Sequence, residues 1–152
     1  MRKILMLLFA MIFCSNAVSA QSTEDSVKAT IQQLFKAMKS SDVTLLKECF
    51  SDSAILQTIE QTKEGKTVIK NVFVENFVQQ IAKIEQGSAD ERITFETIKI
   101  DGPLAIVWTP YQFYWKGQFS HCGVNSFQLV RINQHWEIQY LIDTRRKVNC
   151  IQ

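Results

Sequence analysis

Residues 108–146 read WTPYQFYWKGQFSHCGVNSFQLVRINQHWEIQYLIDTRR, three apolar, aromatic-rich runs separated by Lys116-Gly117 and Asn133-Gln134. Runs of this length with turn residues between them read as three consecutive antiparallel strands. In the last run Trp136, Ile138, Tyr140 and Ile142 fall on one face, with Glu137, Gln139, Leu141 and Asp143 on the other. A tight turn at Asn133-Gln134 sets Arg131 opposite Trp136, Leu129 opposite Ile138, Phe127 opposite Tyr140 and His121 opposite Arg146. Apolar residues then meet apolar residues, and the inward set becomes Phe119, His121, Gly123, Asn125, Phe127 and Leu129.

The turn at Lys116-Gly117 admits two parities: a two-residue turn, which puts Gln112 beside His121, and a three-residue loop with Gly117 in a left-handed bulge. The bulged loop is preferred because it pairs Phe113 with Phe119 and Tyr111 with His121, keeping aromatic rings on the concave side. Tyr111, His121 and Arg146 then cross three adjacent strands, with Thr109, Asn125, Tyr140 and Thr144 nearby. A polar cluster at one end of an apolar cavity is the usual composition of a small-molecule site. His121 and Cys122, being adjacent in a strand, point to opposite faces and make neither a dyad nor a joint metal site. The same register sets Arg145 opposite Cys122, which makes Cys122 and Cys150 the candidate disulfide.

Upstream, Ile93 and Phe95 alternate on one parity and Ile98 and Ile100 on the other, so a bulge or strong bend is expected near Glu96-Thr97. Pro110 cannot donate to a ladder and marks a kink. The N-terminal half carries the helices. Ser22, with Glu24 and Asp25, caps a helix whose Val27, Ile31, Leu34, Phe35 and Met38 recur at helical spacing. Ser40-Ser41-Asp42 ends it and caps a second, carrying Val43, Leu45, Leu46 and Phe50 on one face. Two strands, 54–60 and 66–70, flank a Lys63-Glu64-Gly65 turn. Asn71 is the expected cap of a third helix with Phe73, Phe77, Ile81 and Ile84, ended by Gly87.

MRKILMLLFAMIFCSNAVSA, residues 1–20, combines Arg2-Lys3, a short apolar run and Val18-Ser19-Ala20, the layout of a secretory signal peptide. Residues 21–152 then form one exported domain, periplasmic or secreted, with no membrane anchor. Removing the leader takes two of the 17 basic residues and none of the 15 acidic ones, so the remainder is formally neutral. It has no basic stripe, which sets nucleic-acid binding aside. Of its cysteines Cys49, Cys122 and Cys150, none sits in a C-x-x-C pair, and no metal or cofactor is expected.

Helices followed by a strand meander place the chain in the α+β class. The run SSDVTLLKECFSDSAIL resembles the helix-to-strand entry of the nuclear transport factor 2-like, or SnoaL-like, superfamily. Residues 108–146 resemble exported bacterial members labelled lumazine-binding-like. The resemblance implies a conical roll, a curved antiparallel sheet of about six strands wrapped around three helices, with a pocket and often a homodimer. Three functions fit. The first is a binding module for a small organic ligand contacted by Tyr111, His121, Asn125, Tyr140 and Arg146, where Arg146 would suit an anion or a carbonyl. The second is a metal-independent isomerase or dehydratase with His121 as acid-base and Tyr111 or Arg146 holding the oxyanion; it lacks an inward carboxylate unless a bulge turns Asp143 inward. The third is a dimeric interaction protein whose cavity is filled by Phe113, Phe127 and Tyr140.

Overall fold

A computed structural model describes residues 22–150, so the expected leader lies outside the described residues. Helix α1, Thr23–Ser40, starts where the Ser22 hydroxyl accepts from the Asp25 amide at 3.0 Å. It buries Val27, Ile31, Leu34 and Phe35, the stripe its spacing predicts. Ser41 takes a left-handed conformation to end it, and Asp42 caps α2, Val43–Lys47, by accepting from the Leu45 amide. Phe50 does not join that helix face; it opens strand β1, Phe50–Gln61, which pairs antiparallel with β2, Thr67–Val72.

Asn71 is not a helix cap. It lies in β2, where its side-chain oxygen accepts from Gln57 Nε2 at 2.8 Å, and α3, Val74–Ala82, begins after Phe73 without a side-chain cap. Nor does Gly87 end α3. It sits beyond that helix, with φ +84°, its amide donating to the Lys39 carbonyl at 2.7 Å. There it ties the start of β3, Ala89–Ile93, to the end of α1.

β3 and β4, Thr97–Asp101, both pair with β5, Leu104–Trp115. Ile93 faces Tyr111 and Thr97 faces Trp108, so the link between the two strands carries one residue more than β5 does across it. That extra residue accounts for the change of parity. β5, β6 (Gln118–Ile132) and β7 (His135–Thr144) form the expected meander, joined by two-residue turns at Lys116-Gly117 and Asn133-Gln134, all with positive φ. The strand order is β2-β1-β7-β6-β5-β3. The sheet is curved and unclosed, has seven strands, and is antiparallel except for β1 and β7, which run parallel. Local alternation carries no signal for that pair, because its members meet from distant parts of the described chain.

Two one-residue irregularities decide which side chains face inward. In β6 the pairing slips after Tyr114–Phe119, so Phe113 opposes His121 and Tyr111 opposes Gly123. The turn is therefore the two-residue form, and a bulge at Ser120 restores the parity that a bulged loop would have given. In β7 the pairing slips between Leu129–Ile138 and Gln128–Tyr140, leaving Gln139 as the extra residue. β1 bows out opposite it between Phe50 and Ile55, and the Gln139 side chain fills the gap. Its oxygen accepts from Ser51 at 2.7 Å, and its amide donates to the Ser53 carbonyl at 3.1 Å.

Beyond that bulge the faces exchange. Phe127 now opposes Leu141 and Asn125 opposes Asp143, rather than Phe127 opposing Tyr140. Trp136 and Ile138 remain in the core with Phe127, Leu129, Ile31 and Leu34 on the helix-covered face. Cys122 opposes Arg146, not Arg145, and forms a disulfide with Cys150. Cys49 is free and buried, and burial pushes its thiol up to about 11. Among the described residues no helix is long and apolar enough to cross a membrane.

Candidate functional site

Between the helices and the concave face of the sheet lies a cleft of about 400 Å³, lined by side chains of α3 and six of the strands. Phe77, Ile81, Phe113 and Trp115 give it apolar walls. A narrower recess of about 100 Å³ continues toward Leu34, Leu56 and Asn125, sharing Thr58, Glu91, Asp143 and Arg145 with the cleft. The cavity is open. Phe113 lines it, Phe127 lies in the core, and Tyr140 is on the other face of the sheet, which removes the filled-cavity arrangement.

The Gln139 bulge brings Asp143 into the cleft, nine-tenths buried. Thr58 Oγ1 donates to its Oδ1 at 2.6 Å and Arg145 Nε to its Oδ2 at 2.8 Å. Burial works against the Arg145 charge, and Asp143 more than offsets it, so the guanidinium is held above its usual value. The Tyr111 hydroxyl reaches the Thr144 carbonyl at 2.9 Å and Asp143 Oδ2 at 3.3 Å, dividing one proton between two acceptors. Burial, with Asp143 and Glu91 adding negative charge nearby, raises the phenol well above its normal range and keeps Tyr111 a donor.

That arrangement depends on Gly123. A Cβ there would lie 1.8 Å from the Thr144 carbonyl oxygen and 2.7 Å from Tyr111 Cε1. The missing side chain is the space in which Tyr111 and the end of β7 meet.

Glu91 is the second carboxyl group. It sits on β3 opposite Phe113, and Asn125 Nδ2 donates to its Oε1 at 2.8 Å. Burial pushes this carboxyl up to about 7 and the Asp143 charge adds to the shift, against the Asn125 hydrogen bond and the Arg145 charge. It remains partly exposed because the cleft opens beside it, though protein atoms otherwise surround it.

His121 lies edge-on to Tyr111, with 5.7 Å between ring centres, and against Phe113 at 5.0 Å. Its Nδ1 is 3.1 Å from Ser120 Oγ. Burial and the charges of Arg145 and Lys147 hold the ring below its ordinary value against the pull of Asp143, so at neutral pH it is an uncharged hydrogen-bonding group.

The structure thus brings Tyr111, His121 and Asn125 together. Tyr140 and Arg146 do not join them. The Tyr140 hydroxyl donates to Gln57 Oε1 on the outer face, and Arg146 Nε donates to the Asn149 carbonyl. Both corrections follow from the Gln139 bulge, which puts Arg145 where Arg146 was expected. Thr58, Glu91, Asp143 and Arg145 complete the site. Glu91 had a readable signal, since it shares the parity of Ile93, an inward residue of the same strand. Among the described residues, no group of three or more His, Cys, Asp or Glu could hold a metal ion.

Residues 22–139 match the protein family described as "Putative lumazine-binding". The chain belongs to this family. Its fold recurs in solved structures of low sequence identity. A nuclear transport factor 2-like protein of unknown function from Shewanella baltica OS155 is 14% identical with a TM-score of 0.62, over 81% of this chain and 93% of that one. A domain of unknown function with a cystatin-like fold from Nostoc punctiforme is 18% identical with a TM-score of 0.63, over 83% and 78%. A further nuclear transport factor 2-like protein of unknown function, from Methylobacillus flagellatus KT, is 15% identical with a TM-score of 0.62, over 82% and 94%. At these identities the likeness is one of fold, and proteins that share a fold can differ in chemistry. No curated protein sequence matches the chain.

Proposed function

We propose that the chain is an exported domain that binds a small organic molecule in the cleft between α3 and the sheet. The observation that carries this reading is an open space of about 400 Å³ whose apolar walls are interrupted by Glu91, Tyr111, His121 and the Asp143–Arg145 pair. That volume and mixture suit a compact organic ligand. A metabolite screen by thermal shift should return stabilising compounds, and amide NMR with each hit should move the signals of Glu91, Tyr111, His121 and Arg145. Hits that perturb only the outer sheet face, or an empty screen, would remove this assignment.

A second reading, proton transfer to the bound molecule, is favoured by one observation: the Glu91 carboxyl, pushed up to about 7 by burial, lines the same cleft as the Tyr111 hydroxyl. In this arrangement the acid-base group is Glu91 rather than His121. The same hits, incubated in deuterium oxide, should exchange a carbon-bound proton with the wild type and not with Glu91→Gln; hits unchanged by both would leave binding alone.

We also propose that the outer sheet face meets a second copy of the chain. Ile55, Leu104, Ile106 and Trp108 are 51%, 44%, 42% and 44% exposed on that face. Ser126, Gln128 and Gln57 on that face are uncharged, and the charged residues beside the patch, Lys99 opposite Ile106 and Asp101 opposite Leu104, are of opposite sign. Native mass spectrometry of the chain expressed with its leader in a Gram-negative host should show two copies, each beginning at Gln21, and Trp108→Arg should yield one. A monomeric wild type, or a retained leader, would overturn the respective part.

A further inference from the structure

The charged groups of the cleft are paired with one exception. Glu60 is paired with Lys70 and Asp143 with Arg145, while His121 is uncharged at neutral pH. Of the acids that line the cleft, Glu91 alone is in no ion pair among the described residues; Arg145, paired with Asp143, acts on it through its charge only. One of its oxygens accepts from the Asn125 amide, and the other faces the cleft with no protein donor. Phe113, the cross-strand neighbour of Glu91, lines the same space with the rings of Phe77, Tyr111, Trp115 and His121. Aromatic faces attract positive charge, and a carboxylate held by one neutral donor keeps lone pairs for a charge-assisted bond.

On this basis, and resting on the binding reading above, we infer that the cleft selects a flat organic cation carrying N–H donors, such as an amidinium or a protonated amino-heterocycle. Glu91 is its charge partner and the aromatic walls are its stacking surface. Such a ligand supplies the charge that the cavity lacks. An anion would meet the carboxyl groups of Glu91 and Asp143, and Arg145 already donates from Nε to Asp143 and from a terminal nitrogen to Thr58 Oγ1 at 3.3 Å. This reverses the preference that an inward Arg146 would have set.

Ionised Glu91 is the form that holds the cation, so capture below neutral pH displaces the Glu91 proton into solvent. The titratable and charged groups that line the cleft with Glu91 are Asp143 on β7 and Arg145 just beyond it, His121 on β6, Tyr111 on β5, and Glu60 and Lys70 on β1 and β2.

Benzamidine, benzamide and benzoate share a ring and nearly one shape while carrying charges of opposite sign or none, so they isolate the charge preference. By calorimetry at pH 8, benzamidine should bind at least tenfold more tightly than benzamide, and benzoate should not bind. Between pH 8 and pH 5.5 the wild-type affinity for benzamidine should fall about tenfold or more, following protonation of Glu91. Glu91→Gln should lose at least tenfold at pH 8, lose the pH dependence, and keep benzamide affinity within about twofold. Benzamide or benzoate binding as tightly as benzamidine, or an unaffected Glu91→Gln, would overturn the cation preference while leaving the cleft as a binding site. Silence from all three probes together with an empty metabolite screen would remove both.

Discussion

Glu91→Gln should stabilise the domain at pH 8 by about 3 kcal/mol and flatten its stability profile between pH 5 and pH 8. The Glu91 carboxyl moves from an ordinary value of 4.5 to about 7 on folding, and a tenfold change in proton affinity corresponds to about 1.4 kcal/mol. Between those values the folded chain binds a proton that the unfolded chain has released, so stability falls as pH rises through that window. Below about pH 4.5 both states are protonated and Glu91 contributes nothing to the slope; above about pH 7 the cost of ionising it in the cleft is complete. Glutamine keeps an oxygen for the Asn125 amide and cannot ionise. His121 slopes the other way. Its depressed value means the unfolded chain binds the extra proton, so its contribution is lost as pH falls from the ordinary histidine value through the lower folded one. Only the difference between wild type and Glu91→Gln isolates the carboxyl. Urea denaturation of both proteins at pH 5 and pH 8 measures it, and a melting difference on the order of 10 °C at pH 8 is the thermal counterpart. Parallel profiles would show that Glu91 is not desolvated on folding.

The other large effect is expected at Gly123. Gly123→Ala places a methyl group 1.8 Å from a backbone oxygen and 2.7 Å from the Tyr111 ring, and the backbone contact cannot be relieved by a side-chain rotation. A loss of about 3 kcal/mol or more is expected, at or above the upper range for overpacking. Because Thr144 must move, the Tyr111 hydroxyl loses its acceptor, and Asp143 and Arg145 move with the end of β7. Cleft ligands should therefore be lost in whatever fraction still folds. Gly65→Ala is the control: its glycine has φ +78° and nothing within 4 Å, so the cost is the left-handed backbone alone, roughly 1–2 kcal/mol. Chemical denaturation of the two variants separates collision from conformation, and equal losses would show that the Thr144 approach is not what Gly123 provides.

The helices were legible because their signals are local. Ser22 and Asp42 cap where side-chain chemistry says they should, and the α1 stripe is the buried stripe. The hairpins were legible for the same reason. What failed was arithmetic along the strands. Alternation is a count, and a single extra residue at Ser120 or Gln139 resets it. The first bulge cancelled a wrong choice of turn, leaving Tyr111, His121 and Asn125 on the correct face with the wrong partners. The second had no counterweight and sent Tyr140 and Arg146 outward while bringing Asp143 and Arg145 in. Nothing in WEIQYLID marks Gln139 as surplus, because its justification lies in Ser51 and Ser53 of a strand far away in sequence. Glu91 was missed for a different reason: an acid between apolar residues reads as solvent-facing unless the strand's inward parity is applied to polar residues too.

The parallel meeting of β1 and β7 sets an order of events during synthesis. Phe50 must wait for Ile138, and Ile59 for Thr144, before either flank of the sheet has its neighbour. Pairing between segments so distant in sequence is slow, and until it occurs β1 presents an open edge above an apolar face. A chain interrupted before Ile138 is therefore a sticky half-sheet without a cleft, so premature termination should yield a substrate for proteases and chaperones rather than a smaller working domain.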